Sequence, residues 1–204
     1  MISIAAQEQI QTRLEVIVVD NVCQPDTKRV YDVLSAAHET VQYKFLPLCD
    51  NPGYAMGNNK GAALAAPDSK YILFLNDDLI LSAPDFIENL ALLAEIQARA
   101  LAVGCKLVTI DGDGLIEAGY IIFNDGSTKG YRYGMKHEDI YRSEYSYPRP
   151  VDFVSGCCLL IDRDTFMGYT HNGDTYGFDY HNFPNYYEDT DLQMHIQHDL
   201  HKEV

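Results

Sequence analysis

The sequence predicts an α/β domain with a parallel sheet, on three observations. Glu15–Asp20 (EVIVVD) and Tyr71–Leu75 (YILFL) are short continuous apolar runs, the pattern of strands buried on both faces. Segments with helical spacing separate and follow them. Strand and helix in alternation are what parallel pairing requires, because a parallel strand is reached only by a long crossover.

The elements follow in order. Residues 2–12 have helical composition. After EVIVVD, residues 27–39 carry Val30, Val33, Leu34 and Ala37 at helical intervals, and residues 43–48 read as a second strand. Residues 54–66 are rich in small side chains and predict a helix after a glycine turn. YILFL is the clearest buried strand and ends at Asn76-Asp77-Asp78. Ser82 is placed to cap the next helix, with Pro84 tolerated in its first turn and Asp85 three residues after the cap. Phe86, Leu90 and Leu93 then share a face. Beyond residue 100 short apolar runs at 102–110, 118–123 and 151–161 alternate with Gly, Asp and Tyr. Residues 131–150 read as a loop over one sheet face, and a last helix is expected over 188–201. One α/β domain over 1–204 is expected, whose second half elaborates the first.

Composition narrows the function. The 204 residues include 15 Lys+Arg against 30 Asp+Glu, a net charge of -15. Such a surface repels phosphate backbones and anionic headgroups, which argues against nucleic acid and a polybasic membrane dock. No stretch approaches the roughly 20 apolar residues that span a bilayer. The five cysteines, Cys23, Cys49, Cys105, Cys157 and Cys158, include an adjacent pair and no Cys-x-x-Cys spacing, which favours reduced thiols and a cytoplasmic protein.

Ligands of open α/β sheets bind beyond the carboxyl ends of the strands. Asp20 and Asn21 end the first run, and Asp77 and Asp78 end YILFL. Carboxylates on such rigid supports suit Mg²⁺ or Mn²⁺ against a diphosphate, although acids there also cap turns. The stretch Asn51 to Gly61, containing Gly53, Asn58 and Lys60, leads into a helix and is either a phosphate cradle or an ordinary tight turn. Glu188, Asp189 and Asp191 open the last helix, where acids favour the helix dipole. A general base there is the alternative. His195, His198 and His201 share a helical stripe and read as solvated, and Cys157-Cys158 reads as buried small hydrophobes.

Taken together and in order, EVIVVDN, NPGYAMGNNKGAALA, YILFLNDD, VGCKL, DGLIEAGYIIFNDGS, VDFVSGCCLLIDR and GFD followed by YYEDTDL resemble glycosyltransferase family 2, in particular bacterial O-antigen and rhamnan-type members. The resemblance runs from residue 15 to 192, and it implies a nucleotide-binding half over 1–100 and an acceptor-side half over 101–204. It implies a GT-A fold, a mixed sheet flanked by helices, with the family's first strand missing here and the chain stopping at Val204 before the strand and histidine that often complete the metal shell. It implies a metal-dependent inverting transferase acting on a nucleotide-diphosphate sugar and a glycan or lipid-linked acceptor, cytoplasmic and at most peripheral to a membrane through that acceptor. By position, Asp20, Asn21, Asn51, Gly53, Asn58, Lys60 and Asp77 belong to the nucleotide-sugar site and Asp78 to the Mn²⁺ or Mg²⁺ motif. Gly156 and Asp179 fall on the acceptor side, and the pair Glu188-Asp189 carries the catalytic base, Asp189. The family's Val-Asp-Asn-Gly-Ser turn reads Val-Asp-Asn-Val-Cys here. The other class of reading is a non-catalytic GT-A-like binding module or an inactive fragment of a larger transferase. A nucleotidyltransferase is disfavoured, since no glycine-rich basic phosphate loop opens the chain.

Overall fold

The computed structural model describes residues 4, 7, 13–37, 41–97, 99–111, 114–131, 146–171 and 175–204. The expected helix over 2–12, apart from residues 4 and 7, and most of the 131–150 loop lie outside the described residues. Strand β1 (Glu15–Asp20) pairs in parallel with β2 (Gln42–Pro47), in register from Glu15 opposite Gln42 to Asp20 opposite Pro47. The crossover between them is α1 (Pro25–Ala37), which buries no residue fully and sets Tyr31 against Tyr43 and Phe45, with ring centroids 6.3 and 5.0 Å apart. On β1 packs α2 (Tyr54–Ala62). Gly61 permits that approach, since a Cβ there would stand 2.7 Å from Val19 Cγ2.

The central sheet departs from the expectation of parallel strands. Its order is β3 (Tyr71–Leu75), β9 (Cys158–Asp162), β4 (Ala102–Gly104), and β9 runs antiparallel to both neighbours. Among the described residues no ladder joins this sheet to β1 and β2. Side chains alternate across a strand, and β9 feeds two layers accordingly. Leu160 joins Leu90 and Ala94 of α3 (Phe86–Ile96) and Val103 on one face. Leu159 and Ile161 join Phe74, Phe166, Phe178, Leu192 and Ile196 on the other. Phe74, Phe166 and Phe178 pack with centroids 4.8 to 5.2 Å apart.

The second half adds short hairpins: β5 (Leu107–Val108) with β6 (Leu115–Glu117), and β7 (Tyr120–Ile122) with β8 (Thr128–Gly130). After β9 come α4 (Arg163–Gly168), the pair β10 (Thr170–His171) and β11 (Thr175–Tyr176), and α5 (Glu188–His198). The chain end returns beside residues 99–101, with Leu101 N donating to Glu203 O and Val151 N to Val204 O.

Two further expectations are corrected. Ser82 does not cap a helix: α3 starts at Phe86 after a turn in which the Phe86 amide bonds Ala83 O, and Asp85 holds the cap position without a side-chain bond. Within the apolar run at 151–161, Ser155, Gly156 and Cys157 turn before β9 begins. The thiols are not all reduced. Cys23 and Cys49, at the carboxyl ends of β1 and β2, form a disulfide with Cα atoms 4.8 Å apart. Parallel pairing brings these two strand ends together across 26 residues of sequence, a proximity that Cys spacing alone does not reveal. Cys105, Cys157 and Cys158 remain free.

Candidate functional site

The carboxyl end of β1 carries the first group. Asp20 is buried, and its Oδ1 accepts a 3.3 Å bond from the Val22 amide while Oδ2 is enclosed without a partner. Asn21 Nδ2 donates to Gly53 O at 3.4 Å, its Oδ1 has no partner, and its carbonyl accepts from the Asn51 amide at 2.8 Å. The loop must fold back sharply to do this, which places Asn51 and Gly53 at φ of 47 and 88°. Gly53 takes that conformation without a Cβ penalty. Asp20, Asn21, Asn51 and Gly53 therefore share one edge. Asn58 bonds back to Tyr54 O at 3.1 Å, one turn into α2. Lys60 is exposed in the last turn of α2, roughly 9 Å along the axis from Tyr54 at 1.5 Å per residue, so it stands apart from that edge.

A second group forms around the turn before β9. The Asn76 amide, at the end of β3, donates to Cys157 O at 2.8 Å, which brings the exposed Asp77 and Asp78 beside the turn. The Gly156 amide of the same turn donates to Asp189 Oδ2 at 2.7 Å. Asp189 Oδ1 takes the Thr190 amide at 2.7 Å and the Thr190 hydroxyl at 3.3 Å. Tyr54, the first residue of α2, donates its hydroxyl to Gly156 O at 2.5 Å, and so links the β1 edge to this turn. Burial, with Asp189 and Glu188 adding, drives the Tyr54 hydroxyl far above its ordinary pKa. It stays protonated and remains a donor. Glu188 is buried with Oε2 unpartnered, and burial lifts its carboxyl above the usual range. The Cys157 thiol is pushed up to about 11, first by burial and then by Glu117, Cys105 and Asp78, so it is no ready nucleophile.

Asp179 closes its own turn. Its carboxylate accepts from the His181 and Asn182 amides, both at 3.0 Å, and from Asn182 Nδ2 at 2.5 Å, with His171 Nδ1 3.4 Å away. Its neighbour Phe178 is clamped by Asn59, whose Nδ2 donates to Phe178 O at 2.8 Å while Oδ1 accepts the Phe178 amide at 3.0 Å. In the histidine stripe, His195 stacks on Tyr169 and bonds Asp199, while His198 and His201 are exposed. Among the described residues no group of three His, Cys, Asp or Glu side chains is placed to share a metal ion. A cavity of about 170 Å³, lined by Leu93, Val103, Arg149 and Val151 among others, contains none of the candidate residues.

Sequence reasoning missed two members of the second group, Tyr54 and Glu117. Glu117 is 2% exposed and its Oε1 accepts from the Ser155 amide at 2.8 Å. The alternation in Leu-Ile-Glu placed Glu117 on the same inward face as Leu115, and that was the available signal.

The model of glycosyl transferase family 2 matches residues 3–169, well over half of the chain. The match takes in both strand ends, the Asn51–Gly61 loop and the turn before β9, and it stops short of Asp179, Glu188 and Asp189. No curated protein sequence matches the chain. Because the matched span is the same one that assembles the β1 edge and the Gly156 turn, the chain belongs to glycosyl transferase family 2, with the GT-A fold and the nucleotide-sugar donor and acceptor that membership implies.

Proposed function

We propose that this chain is a single GT-A domain working as an inverting glycosyltransferase in glycan or polysaccharide synthesis, with Asp189 as general base. The observation that carries this reading is the 2.7 Å bond from the Gly156 amide to Asp189 Oδ2. It fixes a half-buried carboxylate at the carboxyl edge of the central sheet, where an acceptor hydroxyl can meet it. Asp189 takes the hydroxyl proton. The acceptor oxygen attacks the anomeric carbon on the face opposite the diphosphate, and the nucleoside diphosphate leaves with the bonding pair. Asp20 Oδ2 and Asn21 Oδ1 are enclosed acceptors without partners, and the N–H and O–H donors of a nucleoside would satisfy them.

The exposed oxygens of Asp77 and Asp78 fit a hard cation, since Mg²⁺ is commonly held by one or two carboxylates plus substrate phosphates and needs no all-protein cage. Mn²⁺ or Mg²⁺ held by Asp78, with Asp77 beside it, would supply neutralisation of the diphosphate charge. Such a cation would also let a chain of net charge -15 accept an anionic donor. A bacterial O-antigen or rhamnan-type role with a lipid-linked or glycan acceptor agrees with the ordered motifs. No helix among the described residues is long and apolar enough to cross a membrane, so membrane contact would come through the acceptor.

The second reading, a non-catalytic binding module, draws on the lack of a ladder between β1 and β3 among the described residues. A transfer assay over a panel of nucleotide sugars with Mn²⁺ separates the two. Wild-type turnover that is lost in Asp189→Asn supports the enzyme, whereas nucleoside diphosphate binding without turnover on any donor supports the module.

A further inference from the structure

Two carboxyl groups hang from consecutive amides of one turn. The Ser155 amide donates to Glu117 Oε1 at 2.8 Å and the next amide, Gly156, donates to Asp189 Oδ2 at 2.7 Å. They come from different elements, Glu117 from the end of β6 and Asp189 from the first turn of α5. Their surroundings differ. Asp189 is half-buried and has Thr190 on its second oxygen, whereas Glu117 is 2% exposed and its Oε2 is enclosed with no hydrogen-bond partner. A turn amide needs only one acceptor oxygen, so a buried amide, serine or glutamine side chain would anchor Ser155 as well as an acid. An enclosed carboxylate with an empty oxygen is costly, and a protonated one is much less so.

We propose that Glu117 is a positioning residue for Asp189: as a proton-bearing carboxyl it anchors the Ser155–Gly156 turn and leaves Asp189 the anion of that turn. The inference rests on Asp189 as the base. The groups facing Glu117 are Asp189 from α5, the Cys157 thiol from the turn and the Cys105 thiol after β4, and no ion pair involving Glu117 occurs among the described residues. None of these neighbours supplies a positive charge. Burial raises the Glu117 carboxyl most, repulsion from Asp189 adds, and the Ser155 amide pulls the other way, leaving it at about 7. Below that pH Glu117 is neutral. Above it Glu117 ionises beside Asp189, and a second enclosed negative charge pushes the two anchors of the turn apart.

The sign for stability follows from proton binding. A carboxyl at about 7 in the folded chain and near the ordinary glutamate value of 4.5 when unfolded makes the folded state hold more protons between those values. Stability contributed by the protonated form is present below pH 4.5 and is lost as pH rises to about 7. The test pairs wild type with Glu117→Gln, which keeps an acceptor oxygen for Ser155 and cannot ionise. Three results are expected. The fall in Tm between pH 5 and pH 8 is flattened in the variant. The alkaline limb of kcat/KM moves to higher pH. Nucleoside diphosphate Kd is unchanged. A wild-type slope and limb in Glu117→Gln overturn the proposal, as does a shifted Kd with an unmoved limb.

If the variant does not fold, ¹³C-carboxyl NMR of the wild-type protein decides. Titration of Glu117 near pH 7 supports the assignment, and titration near pH 4.5 overturns it. Both the Tm slope and the NMR titration need no substrate. Absence of transfer by the wild type therefore sinks the glycosyl-transfer reading and leaves the proton-bearing state of Glu117 separately decided.

Discussion

Gly156 and Asp189 are 33 residues apart, and the amide of one bonds the carboxylate of the other at 2.7 Å. That bond ties the turn before β9 to the first turn of α5. It gives the carboxylate an orientation that a solvated helix-end acid lacks. The same turn takes Tyr54 on its carbonyl and Glu117 one amide earlier, so three distant parts of the chain are referenced to one turn.

Asp189→Asn removes the base and keeps an oxygen for the Gly156 amide. Nucleoside diphosphate affinity, measured by calorimetry, is expected to stay at the wild-type value. The transfer rate should fall by about 10²-fold or more, the usual worth of a positioned general base. A rate near wild type would remove Asp189 from that role.

Gly156→Ala tests the close packing of the turn. An added Cβ would stand 2.8 Å from the Tyr54 hydroxyl and 3.2 Å from Asp189 Cβ, so one of them must move. A loss of about 1–3 kcal/mol is expected from such overpacking. Transfer should fall further than stability does, and thermal melts beside initial rates check it.

Asp78→Ala addresses the cation. Mn²⁺ is expected to strengthen nucleoside diphosphate binding to the wild type and to have little effect on the variant, read by titration calorimetry with and without the ion. Equal enhancement in both proteins would place the ion elsewhere.

The Cys23–Cys49 bridge closes a long loop between the ends of β1 and β2. The chain-entropy account assigns roughly 3 kcal/mol to a closure of this length. Double replacement by Ser, or reduction, should lower the denaturation midpoint by that order. Donor affinity should also weaken, because the bridge holds the loops that carry Asn21 and Asn51. Intact mass before and after thiol alkylation reports the bridge directly.

Asp179 predicts the acid limb of stability. Burial pushes its carboxyl up, but the Asn182 amide and side chain, the His171 charge and the His181 amide outweigh burial and hold it below the usual range. The stabilisation is present above the unfolded value near 3.8 and is lost as pH falls through the lower folded value. Asp179→Asn should therefore flatten the stability loss below pH 4 while lowering stability at neutral pH. Urea denaturation midpoints from pH 2.5 to 7 test both.

Reading the sequence located β1 and β3, because a continuous apolar run is a local property that survives folding unchanged. It also placed Asp20, Asp78 and Asp189 at element ends, where backbone groups are open to ligands. It misjudged the start of α3, since whether Ser82 or a turn satisfies the first amides depends on small differences in backbone path. The disulfide escaped it for a related reason: Cys23 and Cys49 meet only once β1 and β2 lie side by side.

What the sequence by itself determined is β1, β2, β3, the helices between and after them, the last helix, and the ordered motifs that mark the family, since periodicity and residue type act over a few residues. The tertiary structure decided the antiparallel seat of β9 between β3 and β4, and with it the turn at Gly156. It also decided that Glu117 is enclosed and Asp189 half-open, although both are acids at the ends of elements. Burial and charge proximity are sums over residues far apart in the chain, and those sums set which carboxyl keeps its proton.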